Sequence, residues 1–149
     1  MTVEIQIVDT AADFEHCRAI RMTVFVEEQA VPAELEMDDL DAVATHLLAT
    51  VDGRPAGTAR IVDKGASVKI GRVAVLKEHR GGGVGRLIME FAIDEARRRG
   101  YSEVVLSSQT YVIPFYERLG FVAEGPEYDD AGIPHRTMRF ALKTPSSLS

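Results

Sequence analysis

Residues 80–86 read Arg-Gly-Gly-Gly-Val-Gly-Arg, between an apolar run ending at Leu76 and a helical pattern that stops at Gly100. Gly81, Gly82, Gly83 and Gly85 let the backbone take positive φ and leave no Cβ in the way of a ligand. The helix opening there offers N–H groups without internal partners and the positive end of its dipole. That chemistry suits a phosphate; a flexible glycine connector is the plainer alternative. Two phosphate loops are excluded by spelling. No Lys-Ser or Lys-Thr pair follows the glycines, as a P-loop needs. The dinucleotide fingerprint Gly-x-Gly-x-x-Gly meets Arg86 when started at Gly81 and Ile88 when started at Gly83.

The charge distribution sharpens this. The chain of 149 residues carries a formal charge of −6, which argues against nucleic acid as a partner, since binding a phosphate backbone needs a basic face. Yet Lys69 to Arg86 holds five Lys/Arg against the lone acid Glu78, a local +4. Glu27 to Asp41 holds seven acids and no base, which reads either as a face for a cationic substrate or as a solvated, solubilising loop. The single cysteine, Cys17, permits no internal disulfide and no zinc spacing; a small apolar filler in the first helix is expected rather than a nucleophile. No apolar run approaches the ~20 residues of a membrane span and no leader-like stretch opens the chain, so a cytoplasmic protein is expected.

These residues need elements to position them. Length and ordinary composition, 46% hydrophobic and 27% charged, suit one domain with its own core. Alternation predicts a strand over 3–8, and Asp9-Thr10 caps a helix over 12–26 with Phe14, Cys17, Ile20, Val24 and Phe25 on its apolar face. Ala33–Leu40 reads as a short helix or ordered loop. Strands are expected over 46–51 and 57–62 about an Asp52-Gly53 turn, then over 68–76, central and buried. A helix over 84–99 is expected to point Leu87, Ile88, Phe91, Ala92 and Ala96 inward and to pair Asp94 with Arg98 and Glu95 with Arg99. A strand at 103–106 completes a βαβ crossover. A short helix over 114–120, a strand from Phe121, a turn at Asp129–Gly132 and a last strand over 135–142 follow, then a frayed tail over 144–149. One α/β domain over 1–143 with a mixed sheet results.

Two motifs carry a resemblance. Arg80, Gly83 and Gly85 fill Arg/Gln-x-x-Gly-x-Gly/Ala after a strand. Phe115-Tyr116, followed by Gly120-Phe121, fills Phe-Tyr-x-x-x-Gly-Phe, with Tyr116 standing 31 residues after Gly85. Both spellings, in this order, resemble GNAT-type N-acetyltransferases over essentially the whole chain. Residues 20–29 (Ile-Arg-Met-Thr-Val-Phe-Val-Glu-Glu-Gln), Val31-Pro32 and Gly132-Ile133-Pro134-His135 look like the ElaA/YjcF-like subgroup. Acyl-homoserine-lactone synthases share the fold and are the weaker match.

The resemblance implies a GNAT fold: a mixed sheet of six to seven strands, about four helices, and two parallel strands splayed at the cofactor site. It implies acetyl-coenzyme A as cosubstrate and no metal. Backbone groups of Val73, Ala74 and Val75 would hold the pantetheine, with the Val75 N–H facing the developing oxyanion. The N–H groups from Gly81 through Gly82, Gly83, Val84 and Gly85 to Arg86 would hold the pyrophosphate. Arg80 and Arg86 would add charge, or stand as exposed solubilising residues. Tyr116 would protonate the leaving thiolate, the alternative being a core tyrosine with a satisfied hydroxyl. The acid that many relatives carry on the fourth strand is missing from 68–76. Glu28, Asp38, Asp39, His46, His135 and water all stay open as the base. The expected reaction is acetyl transfer to a primary amine on a small molecule; a non-catalytic acyl-coenzyme-A sensor and a protein N-acetyltransferase stay open beside it, as does homodimerisation.

Overall fold

The structure is a computed structural model in which residues 1–142 are described; the predicted tail and the domain's expected end at 143 lie outside them. Seven strands form one mixed sheet: β1 (Val3–Ile7), β2 (Thr45–Val51), β3 (Arg54–Asp63), β4 (Ser67–Val75), β5 (Glu103–Gln109), β6 (Val122–Asp130) and β7 (Ile133–Ala141). Their spatial order is β1-β2-β3-β4-β5-β7-β6. Four α-helices accompany them among the described residues: α1 (Ala11–Arg21), α2 (Ala33–Glu36), α3 (Val84–Arg98) and α4 (Ile113–Leu119). The expected mixed α/β architecture is present.

Each face of the sheet buries one long helix. On one side Ile88, Met89, Ala92, Ile93 and Ala96 of α3 pack on Leu47, Ala49, Ile61, Val68, Ile70 and Val104. On the other, Cys17 and Ile20 of α1 pack on Leu48 and Ala74. Cys17 is the expected apolar filler: its thiol leans on the Leu47 carbonyl at 3.5 Å, and burial pushes its pKa up. The predicted inward face of α3 is rotated. Leu87 is 40% exposed, while Met89 and Ile93 are buried. Apolar residues run almost around the helix from 87 to 93, so a 3.6-residue period alone does not choose the buried stripe. The Glu95–Arg99 pair forms, but Asp94 bonds Arg97 in place of Arg98.

Two irregularities prepare the site. First, α1 is capped by Thr10, which accepts from the Asp13 N–H at 3.1 Å, but it does not end as an α-helix. Met22–Glu28 widens into a π-helical turn, closed by the Gln29 N–H on the Val24 carbonyl at 3.2 Å. The β-branched run Thr23-Val24-Phe25-Val26 crowds an ordinary turn and favours this widening. Second, β4 bulges. Thr58 faces Ala74 and Arg60 faces Gly71, so Arg72 and Val73 have no partner on β3. Arg72 sits at φ +52°, a left-handed conformation that costs a non-glycine residue roughly 1–2 kcal/mol.

Beyond the bulge, β4 and β5 part. They pair in parallel only over Ser67–Lys69 against Glu103–Val105, and residues 70–75 have no partner on β5. This is the splay that the resemblance implied.

Candidate functional site

The splay opens a cavity of about 410 Å³. Its walls come from the π-helical turn and α2 (Phe25, Gln29, Glu36), the β4 bulge (Gly71, Arg72, Val73) and the end of β5 (Ser107, Ser108, Gln109). Tyr116 of α4, the β6–β7 turn and His135 line it as well.

Tyr116 is 8% exposed, its ring edge-on to Phe115 and Phe121. Its hydroxyl makes no hydrogen bond to any described residue, yet it is not sealed in; among these residues the only fully buried side-chain polar atom without a partner is His46 Nδ1. The ring is therefore a core element whose polar tip is left for the cavity, not a satisfied core tyrosine. Burial raises its pKa to about 12, so the phenol keeps its proton at neutral pH.

The glycine loop takes the expected form. Gly81 and Gly83 have φ near +87° and +83°, and Gly83 starts α3. A Cβ at Gly83 would meet nothing within 4 Å, so its requirement is conformational; a Cβ at Gly85 would only touch Phe115 and Val75, at 3.6 and 3.7 Å. No side chain caps α3 and no acid lies in its first turn, so its N–H groups point unneutralised at the loop. Arg80 holds β4 to the loop, its Nε on the Val75 carbonyl at 2.9 Å and its Nη2 on Glu28 at 2.6 Å. Arg86 pairs with Glu90 along α3 at 3.0 Å and is mostly exposed. Val73, Ala74 and Val75 do not present their backbones alike. The Leu76 N–H bonds Ala56 on β3 at 2.8 Å. By alternation Ala74 also bonds toward β3, whereas Val75 turns its N–H into the gap.

The acidic segment divides: Glu27, Glu28, Glu34 and Asp39 are exposed, while Glu36, Asp38 and Asp41 turn inward. These last three fold back onto three arginines of their own chain. Arg21, 1% exposed, bonds Glu36 Oε2 at 2.8 Å and Asp41 Oδ1 at 2.7 Å. Arg60 bridges Asp38 and Asp41 at 2.7 and 3.0 Å. Arg72 reaches Glu36 Oε2 at 3.2 Å and Asp38 Oδ2 at 3.3 Å, which helps to hold the bulge in its strained conformation. Burial pushes the Glu36 carboxyl up against the pull of Arg21. Burial also works to raise Asp41, but Arg21 and the Asp38 N–H hold it well below the usual carboxylate range. Sequence patterning misses this cluster; the available signal was Arg21, an arginine one turn after Cys17 on the apolar face of α1.

The open candidates for the base separate accordingly. Glu28 is tied to Arg80. Asp38 is bound to Arg60, which lowers its pKa. Asp38 and Asp39 lie outside the cavity walls, in a shallow groove beside Phe14 and Met37. His46 lies under the Phe14 ring, with Nε2 on the Asp41 carbonyl at 2.9 Å and Nδ1 buried. His135 alone of these lines the cavity. Glu36, absent from the expected set, lines it too.

Comparison with known proteins agrees with this geometry. Residues 10–142 match the family model of the acetyltransferase (GNAT) domain. The chain is 41% identical over 120 residues to the N-acetyltransferase YjcF of Bacillus subtilis, covering 80% of this chain and 86% of that one. An acyl-CoA N-acyltransferase structure from Pseudomonas aeruginosa is 34% identical and superposes with a TM-score of 0.86, covering 94% of this chain and all of the other. ElaA of Escherichia coli is 26% identical with a TM-score of 0.82, covering 93% and 99%. Among the described residues no cluster suits a metal ion, and no helix is long and apolar enough to cross a membrane.

Proposed function

This chain belongs to the GNAT acetyltransferase family, of the ElaA/YjcF-like kind, and from that premise we propose that it moves acetyl from acetyl-coenzyme A to the primary amine of a small molecule. The amine attacks directly in a ternary complex, since among the described residues no cysteine or serine pairs with a base to carry the acyl group. The observation that carries this reading is the open seam between β4 and β5, with the unpartnered Tyr116 hydroxyl inside it.

The N–H groups of Gly81–Arg86 take the pyrophosphate, and the pantetheine lies along β4. There the Val73 backbone, left unpaired by the bulge, and the Val75 N–H receive it; Ala74 contributes less because it is turned to β3. The Val75 N–H faces the oxyanion. Tyr116 donates first a hydrogen bond and then its proton to the departing sulfur. Arg80 supports the loop by tying Val75 to Glu28 and adds charge beside the phosphates; Arg86 is a solvent-side charge. A cavity of about 410 Å³ favours a small acceptor. Glu36, Asp38 and Asp41 are spent on internal arginines, which leaves fewer acids to attract a lysine-rich tail and weakens the protein-acceptor reading.

Coenzyme A release from acetyl-coenzyme A, measured across a panel of small amines, tests the proposal. Turnover is expected, with Tyr116→Phe slower by about a hundredfold and its acetyl-coenzyme A affinity retained. Tight binding with no turnover on any amine would point to the sensor instead.

A further inference from the structure

We infer that His135 is the general base of the reaction, its Nε2 taking the proton from the acceptor amine; this rests on the acyl-transfer reading above. His135 Nδ1 lies 2.7 Å from the Ile133 carbonyl. A carbonyl oxygen only accepts, so the hydrogen is on Nδ1 and the neutral ring carries its lone pair on Nε2. Nε2 has no partner among the described residues and is not fully sealed, and the residue lines the cavity together with Tyr116. A base needs this arrangement: tautomer fixed from behind, lone pair free in front.

The sequence builds it deliberately. Ala131 and Gly132 take φ +53° and +81°, a tight hairpin turn between β6 and β7. Pro134 then stiffens the step between the accepting carbonyl and the ring. Gln109 faces His135 across the β5–β7 ladder. Tyr128 of β6 stacks on the imidazole at 6.1 Å and 26°, its hydroxyl bonded to Ser107. The ring is thus pinned by a carbonyl, a stacked phenol and the strand register. The other charged or titratable groups around the cavity are Lys69 and Arg72 on β4, Glu36 on α2, Asp130 at the end of β6 and Tyr116 on α4, besides Tyr111 in the short turn before α4. Glu36 is the rival base, but one of its oxygens is shared by Arg21 and Arg72.

The proton balance closes. The acceptor enters as R–NH3⁺ and gives one proton to Nε2. The freed lone pair of R–NH2 forms the C–N bond to the thioester carbonyl. The tetrahedral oxyanion then collapses, the C–S bond breaks, and its electron pair goes to sulfur, which takes the Tyr116 proton. The amide nitrogen gives its surplus proton to the phenolate, and the imidazolium releases its proton to solvent. Ammonium and thioester become amide, thiol and one proton.

His135→Asn keeps a donor for the Ile133 carbonyl and removes the base. With an amine that the wild type acetylates, kcat/KM at neutral pH should fall by about a hundredfold while acetyl-coenzyme A affinity stays unchanged. The variant's rate should climb as rising pH frees the amine without enzymic help. Nitrogen-15 shifts of the wild-type histidines should show His135 as the Nδ1–H tautomer. A wild-type rate and pH profile in His135→Asn overturns the base with the acyl-transfer reading intact, and so does an Nε2–H tautomer. Absence of turnover by the wild type on every amine overturns both.

Discussion

His46 and His135 are both more than nine-tenths buried, and each rests one ring nitrogen on a backbone carbonyl. They differ in the other nitrogen. His46 Nδ1 is walled in under Phe14 beside the Arg21–Asp41 cluster. His135 Nε2 has no partner among the described residues and is not fully buried, and the residue lines the cavity. Their neighbourhoods differ in the same way. Around His46, three arginines and three carboxylates satisfy one another; around His135, a phenol, an imidazole nitrogen and strand N–H groups are left without protein partners. Burial alone does not mark a functional group. What marks it is unused capacity in a residue that lines a cavity, where a ligand can reach it, not capacity walled in as at His46 Nδ1.

Breaking the cluster should produce the largest change in stability. Arg21→Met leaves Glu36 and Asp41 buried beside an apolar side chain, which should cost about 3–5 kcal/mol in urea unfolding. A loss under 1 kcal/mol would show that the cluster is less sealed than its geometry says. Gly83→Val probes the opposite region. It has room for the side chain but not for the left-handed backbone, so stability should fall by roughly 1–2 kcal/mol. Acetyl-coenzyme A affinity, read by calorimetry, should fall at least tenfold as the loop deforms; retained affinity would refute the phosphate assignment. His46→Gln should cost about 1 kcal/mol of stability with kcat/KM unchanged, the reverse of His135→Asn. The pH response is the smallest and most diagnostic effect. Asp38 and Asp41 have depressed pKa values in the folded state. Their stabilisation is full above the unfolded aspartate value near ~3.9 and is lost as pH falls through the folded values. Asp41→Asn should therefore flatten the acid limb of the melting temperature below about pH 4 and leave neutral activity in place.

The parts of the molecule legible in the sequence are those fixed by local chemistry. Four glycines within 81–85 at a helix start, the Asp52-Gly53 hairpin and the Phe-Tyr-x-x-x-Gly-Phe spelling each constrain their own neighbourhood, and each stands where expected. What escaped depends on partners distant in the chain. Glu36, Asp38 and Asp41 meet Arg21, Arg60 and Arg72 only after the sheet forms, so a run of acids without a base looked solvated or substrate-facing. The π-helical turn that brings Phe25 and Gln29 to the cavity was visible only as a β-branched helix end. The choice among six bases likewise turned on which nitrogen or oxygen the tertiary structure had already occupied.

The seam at Ser67–Lys69 and Glu103–Val105 has a mechanical side as well. It divides the sheet into two leaves, β1–β4 and β5–β7–β6, held by a short hinge at one end and by helix packing. On the proposed function, a pantetheine arm in the gap would be the missing rung of the ladder, and the cosubstrate would act as a structural member for as long as it is bound. Amide exchange over 70–76 and 106–109 should slow on loading far more than exchange within α1, and the protein that waits for its acceptor should be stiffer than the one that has just released coenzyme A.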